Sequence, residues 1–289
     1  MNKGKYFCPI CNSCKENIED ICIGKAKGNT ARFRNKEFYV WKCPECGTII
    51  SMDRVDFKDI YKDYILNKRT MDFFGKITLN NLLKRLKKCG LEKEHLILDY
   101  GCGSGLFVDL LKQSGYKFAF GFDPYVKEFS QRPNRKFDFI ILNDVIEHVD
   151  DPRDLVKDCI TLLKPKGRIY IGTADSDGID MKSLDSHRTQ LHLPYHRVII
   201  NKNILLQLGE EFNLKVIKVY IRSYMDTLVP FVNYRFLDEF NKSLGYNMED
   251  AFNPASTKIL LRKPHLLFFA FLGFFFPSAY EPAVIFQKE

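Results

Sequence analysis

Residues 96–113, LILDYGCGSGLFVDLLKQ, constrain the fold more than any other stretch of the chain. Leu96–Leu98 is a short apolar run of the kind that forms a buried strand, and it ends in an acid, Asp99. Gly101, Gly103 and Gly105 follow at once, and Leu106, Phe107, Leu110 and Leu111 then recur at helical spacing. Glycines let the backbone turn sharply and approach a ligand closely, while the start of a helix offers N–H groups without intrahelical partners. A strand, glycine turn and amphipathic helix in this order mark a nucleotide-type α/β unit. The spacing, G-x-G-x-G with an acid two residues earlier, is not the G-x-G-x-x-G of dinucleotide folds.

The alternation continues beyond the turn. A second strand over 118–122 ends in Asp123, about 20 residues past the glycines, where doubly wound folds grip a ribose diol. A third, FDFIIL at 137–142, leads into NDVIEHVDDP at 143–152. A helix ending near 163–167 precedes a strand at 168–172, and another strand covers 214–221. Strands alternating with helices specify a parallel sheet, so the expected class is α/β with a Rossmann-like doubly wound sheet.

The series LDYGCGSG, GFDP, FDFIILNDVIEHVDDP and LLKPKGRIYIGT, in this order over residues 95–223, resembles the class I S-adenosylmethionine-dependent methyltransferases. The resemblance implies that Gly101, Cys102, Gly103 and Gly105 form the turn beside the methionine part of the cofactor. It implies that Asp99 orients the cofactor, that Asp123 accepts hydrogen bonds from the ribose, and that Asn143 and Asp144 line the methyl-transfer pocket. Residues 124–136 are too few for the helix and strand the family usually has there, which leaves the adenine contact unassigned. Asp144, Glu147 and His148 are similar to the Glu-x-x-Glu-His of quinone-biosynthesis O-methyltransferases, which implies a site for Mg²⁺ near the acceptor. The expected transfer is to oxygen or carbon of a small-molecule or lipid-linked acceptor, quinone-like or a glycan precursor. Methylation of RNA and a degenerate, non-catalytic scaffold are the alternatives.

A hydroxyl acceptor must also lose its proton. His148 supplies one candidate base, and the loop SHRTQLHLPYH at 186–196 supplies two more, His192 and His196. After the FDFIIL strand there is no Asn/Asp-Pro-Pro-aromatic sequence of the kind that grips a flipped base, which counts against DNA or adenine methylation and leaves ribosomal RNA methylation of another type open.

Two C-x-x-C pairs, Cys8/Cys11 and Cys43/Cys46, stand ahead of this region. Each pair can present two thiolates to one side of a tetrahedral zinc ion, and four thiolates leave no open position for chemistry. Residues 1–50 therefore read as a structural zinc ribbon, with Arg32–Arg34 and Phe38–Trp41 as its short strands. A redox pair is the other use of such thiols. Cys14 and Cys22 fall outside the expected set. Residues 51–94 read as a helical linker carrying Leu79, Leu82, Leu83 and Leu86 on one stripe, and the catalytic domain takes 95–289 with a substrate-facing insertion at 224–280.

That insertion holds Leu266–Phe276, LLFFAFLGFFF, a run only about half as long as the roughly 20 residues that cross a bilayer. Its expected roles are core, membrane-surface contact or a tunnel for a lipid chain. A net charge of +8 permits anionic partners of several kinds. With 9 cysteines and no signal-like run after Met1, the chain reads as cytoplasmic, with peripheral attachment to the inner face of the membrane as a further expectation.

Overall fold

The computed structural model describes residues 6–16, 22–251, 257–276 and 281–289. The amino-terminal part contains β1 (Tyr6–Phe7), β2 (Cys14–Lys15), β3 (Ile23–Lys27), β4 (Glu37–Lys42) and β5 (Ile49–Ser51). Arg32–Arg34, expected as a strand, is instead a turn. The amides of Phe33 and Arg34 both donate to the Thr30 carbonyl, and this folds Phe33 back onto Phe38. Residues 51–94 are helical only in part, with α1 (Phe57–Tyr61), a single 3₁₀ turn (Ile65–Lys68) and α2 (Phe73–Lys88). Leu82, Leu83 and Leu86 of α2 are buried, as their spacing requires.

The larger part of the chain begins with β6 (Ile97–Tyr100), α3 (Leu106–Gln113), β7 (Ala119–Phe122) and β8 (Phe137–Asn143). α4 (Pro152–Leu162) runs straight into β9 (Leu163–Gly172). α4 starts where its sequence says it should, with Asp151 capping the amides of Arg153 and Asp154 and Pro152 in the first turn. α5 (Arg188–Leu191), β10 (Val198–Ile199), α6 (Lys202–Glu211) and β11 (Leu214–Tyr220) follow. The insertion folds as α7 (Tyr234–Ser243), α8 (Met248–Ala251), α9 (Thr257–Arg262) and α10 (His265–Leu272), and β12 (Ala283–Lys288) closes the chain.

The main sheet has the order β11-β12-β9-β8-β6-β7. β7, β6, β8 and β9 are parallel, and β12 runs antiparallel between β9 and β11. Between β7 and β8 lies only a 3₁₀ turn, Lys127–Phe129, so β7 is the edge of the sheet where a further strand would otherwise pair. Alternate side chains feed two cores. Ile140 and Leu142 pack with Leu155, Cys159 and Leu205 on one face, while Phe139 and Ile141 pack with Leu86, Phe107 and Leu111 on the other. The chain leaves β6 toward β7 on one side and β8 on the other, so the carboxyl ends of β6 and β8 flank a topological switch point.

The ribbon is not a bead on a string. β3, β4 and β5 form a second sheet, and β10, from the loop after β9, pairs with β5 through Val198↔Ile50 and Ile199↔Ile49. Tyr6, Cys8, Trp41 and Cys43 join the same core as Leu98 and Ile204. The boundary expected near residue 50 is thus crossed by both a sheet and a core. The insertion forms a cap in which Leu266 and Ala270 of α10 pack on Phe236 and Phe240 of α7. Asn233 binds the α10 carbonyls of Phe269 and Ala270. Among the described residues, no helix is long and apolar enough to cross a membrane.

Candidate active site

A cavity of about 530 Å³ opens at the switch point. Its floor is the turn after β6. Gly101 has φ +80°, and a Cβ there would meet Val145 at 2.5 Å, so no other residue fits. Gly103 has φ +52° and an open approach, with only Asn67 Oδ1 at 3.6 Å from where a Cβ would stand, so its backbone is bare to the cavity. Asp123, at the end of β7, is buried and accepts from the amides of Gly103 (3.0 Å) and Tyr125 (2.9 Å). These bonds fix its carboxylate at the cavity wall. Asp99 is buried beside it, and burial, helped by the charge of Asp123, pushes its carboxyl up to about 7.

The wall beyond β8 carries Asn143, Asp144, Glu147 and His148. Asp144 sits in the left-handed region, φ +55°, and its Oδ2 accepts from Asn143 (2.8 Å) and from the Tyr224 hydroxyl (3.2 Å). Glu147, 1% exposed, accepts from the Ala174 amide at 3.2 Å. Burial raises the carboxyls of both Asp144 and Glu147, and the Asp144 charge raises Glu147 further. These two and His148 are not assembled as a metal site. Among the described residues, the one group of such ligand atoms lying within 4.8 Å of one another is that of the four ribbon cysteines. The reason is local bonding: each of the three side chains is turned to a different protein partner.

The three histidines expected as bases do come together. The His148 and His196 rings lie 4.7 Å apart, those of His192 and His196 5.1 Å, and those of His148 and His192 6.1 Å. Their bonding separates them. Both ring nitrogens of His192 are used, Nε2 with the Tyr64 hydroxyl (2.8 Å) and Nδ1 with Asn29 Oδ1 (2.7 Å). Nδ1 of His148 meets the Tyr61 hydroxyl at 2.7 Å. In His196, Nδ1 donates to the Gln190 carbonyl (2.7 Å), which leaves Nε2 as the lone-pair nitrogen. Burial lowers all three, His196 to about 4, so all are neutral near neutrality.

Several lining residues were not legible as site residues. Tyr61 stacks on Tyr125 at 4.4 Å and 7°, with Phe57 against both, so α1 roofs the cavity next to Asp123. Phe57, Tyr61 and Tyr64 have helical spacing, i, i+4 and i+7, a signal that was available in the sequence. Tyr224 and Glu281 come from either end of the insertion, and no local pattern marks them.

In the amino-terminal ribbon, Cys8 and Cys46 Sγ are 3.5 Å apart and Cys11 and Cys43 Sγ 3.6 Å. Four sulfurs around zinc at about 2.3 Å would be about 3.8 Å apart, so the set fits a tetrahedral ion. The hydroxyls of Ser13 and Thr48 lie within hydrogen-bond reach of Cys43 (3.4 Å) and Cys46 (3.1 Å), as an outer shell would. Cys14 and Cys22 stand outside the group.

Residues 74–219, just over half of the chain, match a family model described as a methyltransferase domain. Among curated relatives, the ubiquinone biosynthesis O-methyltransferase of Escherichia coli O81 (strain ED1a) is 24% identical over 153 residues, covering 43% of this chain and 64% of that protein. The enzyme of the same name from Yersinia pestis (strain Pestoides F) is 26% identical over 151 residues, covering 41% of this chain and 61% of that one. The chain thus spans less than two thirds of the length of these relatives. Among solved structures, one chain of a complex between the Haloferax volcanii Trm112 methyltransferase activator and a methyltransferase aligns with a TM-score of 0.50 at 13% identity. It covers 82% of this chain and 100% of that one, a likeness of fold.

Proposed function

The chain belongs to the methyltransferase domain family, and from that premise we propose that it transfers a methyl group from S-adenosylmethionine to oxygen or carbon of a small-molecule or lipid-linked acceptor. The observation that carries this is Asp123 held at the cavity wall by the bare Gly103 amide, a ribose acceptor beside an open glycine turn. Gly101, Cys102, Gly103 and Gly105 would cradle the methionine part, Asp123 the ribose, and Asp99, Asn143 and Asp144 the region of the sulfonium. Bound there, S-adenosylmethionine supplies the methyl carbon and keeps the electron pair of the broken carbon–sulfur bond. His196 Nε2 takes the proton of an acceptor hydroxyl, since Nδ1 of that ring is committed to the Gln190 carbonyl and Nε2 carries the lone pair. His148, steered by Tyr61, orients His196 or the acceptor. His192, bonded at both nitrogens, holds the loop in place. Tyr61, Tyr64 and Tyr125 keep water from the reacting atoms.

The cap supplies a contact with the membrane surface. Leu267, Phe268, Phe271, Leu272 and Phe275 are exposed, from 38% for Leu267 to 71% for Phe275, and Arg262 and Lys263 stand just ahead of α10, at the end of α9 and in the link that follows. Apolar side chains edged by cations suit the boundary of an anionic bilayer. The test of the whole proposal is transfer of labelled methyl from S-adenosylmethionine into fractionated extract of the source cells. Label in the organic phase is expected, and label in nuclease-sensitive material would overturn it.

A further inference from the structure

The cavity is rich in acids although the chain is basic. Six carboxylates line it, from Asp99, Asp123, Asp144, Glu147, Asp150 and Glu281, against one guanidinium, Arg69, and no lysine. Arg69 is itself ion-paired with Asp72 at 3.2 Å. Such a wall gives a carboxylate or phosphate at the reacting end of an acceptor no uncommitted cation to pair with.

The wall also holds unmatched acceptors. Asn143 Oδ1, Glu147 Oε2 and Glu281 Oε2 are buried and have no hydrogen-bond partner among the described residues. The Ser223 and Tyr234 hydroxyls lean toward Glu281, and Thr173 toward Glu147, without closing a bond to those oxygens. Three of the lining hydroxyls already have partners: Tyr61 with His148, Tyr64 with His192, Tyr224 with Asp144. A buried acceptor left unmatched costs free energy, and a ligand bringing hydroxyl groups recovers it. Asp123 already accounts for the ribose hydroxyls. Glu281 lines the same cavity, with Asp144, Ser223 and Tyr234 about it.

We propose that the acceptor is an uncharged polyhydroxylated ring, a glycosyl group, whose hydroxyls are gripped by Glu281 and Glu147 and flanked by the aromatic wall of Tyr61 and Tyr64. An ammonium would also satisfy a carboxylate, but its nitrogen lone pair is protonated in such a pair and cannot attack. A hydroxyl needs a base, and His196 Nε2 provides one. This assignment rests on the methyltransferase proposal and narrows its acceptor.

The test uses the full-length, zinc-loaded protein. Cofactor binding is measured by calorimetry, and labelled methyl transfer is assayed with methyl hexopyranosides of the gluco, manno, galacto and 6-deoxy series, with catechol, and with a hexose 1-phosphate. At least one neutral pyranoside is methylated and the phosphate is not. Glu281→Ala raises the KM for that sugar about ten- to a hundredfold, the loss of a buried hydrogen-bonding group, with cofactor affinity unchanged. Glu281→Gln, which keeps the shape, shows the same sign and guards against misfolding. Methylation of catechol in preference, indifferent to Glu281→Gln, would overturn the proposal, as would cofactor binding with no pyranoside methylated. Failure to bind S-adenosylmethionine at all would instead bring down the methyltransferase proposal beneath it.

Discussion

Replacing Asp123 with alanine leaves the amides of Gly103 and Tyr125 without their acceptor and removes the ribose contact. The expected result is a rise of about ten- to a hundredfold in the Kd for S-adenosylmethionine, read by calorimetry. Unchanged affinity would contradict the assignment. The buried acids add a pH signature. Asp99, Asp144, Glu147 and Glu281 all have carboxyls raised by burial, so the folded protein holds protons that the unfolded chain has given up. Their contribution to stability is therefore greatest at low pH and is lost as pH climbs to about 8, the value for Glu147 and Glu281. The three histidines act with opposite sign. Buried neutral, they lose stability as pH falls from their ordinary 6.5 toward the value of about 4 for His196, which offsets the gain from the acids in that range. Above 6.5 only the acids remain, so Tm should decline from about pH 6.5 to 8. A cationic sulfonium relieves the carboxylates and a neutral thioether does not. S-adenosylmethionine should thus raise Tm over S-adenosylhomocysteine by a margin that grows with pH, and a margin independent of pH would refute this. At this scale the glycines and Asp123 were legible because a local motif encodes them. Glu281 was not, because only tertiary packing brings it to the cavity, and the helical spacing of Phe57, Tyr61 and Tyr64 marks a shared face without saying that the face roofs this site.

Among the elements, the strands that were called by apolar runs formed, because a strand buried on both faces needs no more than such a run. Missing the turn at Arg32–Arg34 has the opposite cause, a short segment whose bonding to Thr30 no periodicity reveals. The brevity of residues 124–136 was readable as a lost strand, and β7 is indeed the sheet edge. What the sequence could not divide was the Phe-rich run, which looks apolar all round. In the folded cap Leu266 and Ala270 face inward, and Phe271 and Phe275 face solvent. Phe271→Ser with Phe275→Ser removes two exposed rings without touching the Phe236–Phe240 packing. Cosedimentation with anionic vesicles should fall about tenfold or more while Tm stays put. Equal sedimentation of variant and wild type would make the patch irrelevant to membranes.

For the molecule as a whole, the shared β5–β10 pairing and the common core predict one unfolding transition, not two. Removing zinc with a chelator should lower that single Tm and weaken acceptor turnover together, since Asn29 of the ribbon holds His192. A ribbon that melts alone and leaves turnover intact would contradict this. Cys-x-x-Cys spacing was enough to expect the ribbon, but it carries no trace of what the ribbon leans on. The fusion through β10 also makes the metal and the cofactor parties to one equilibrium. Whatever free energy zinc contributes to the closed cavity, S-adenosylmethionine must return to zinc in equal measure, because coupling between two ligands is reciprocal. Cofactor-saturated protein will therefore surrender its metal to a chelator less readily than the empty form, and a cell short of zinc would register the shortage as a loosened grip on the methyl donor.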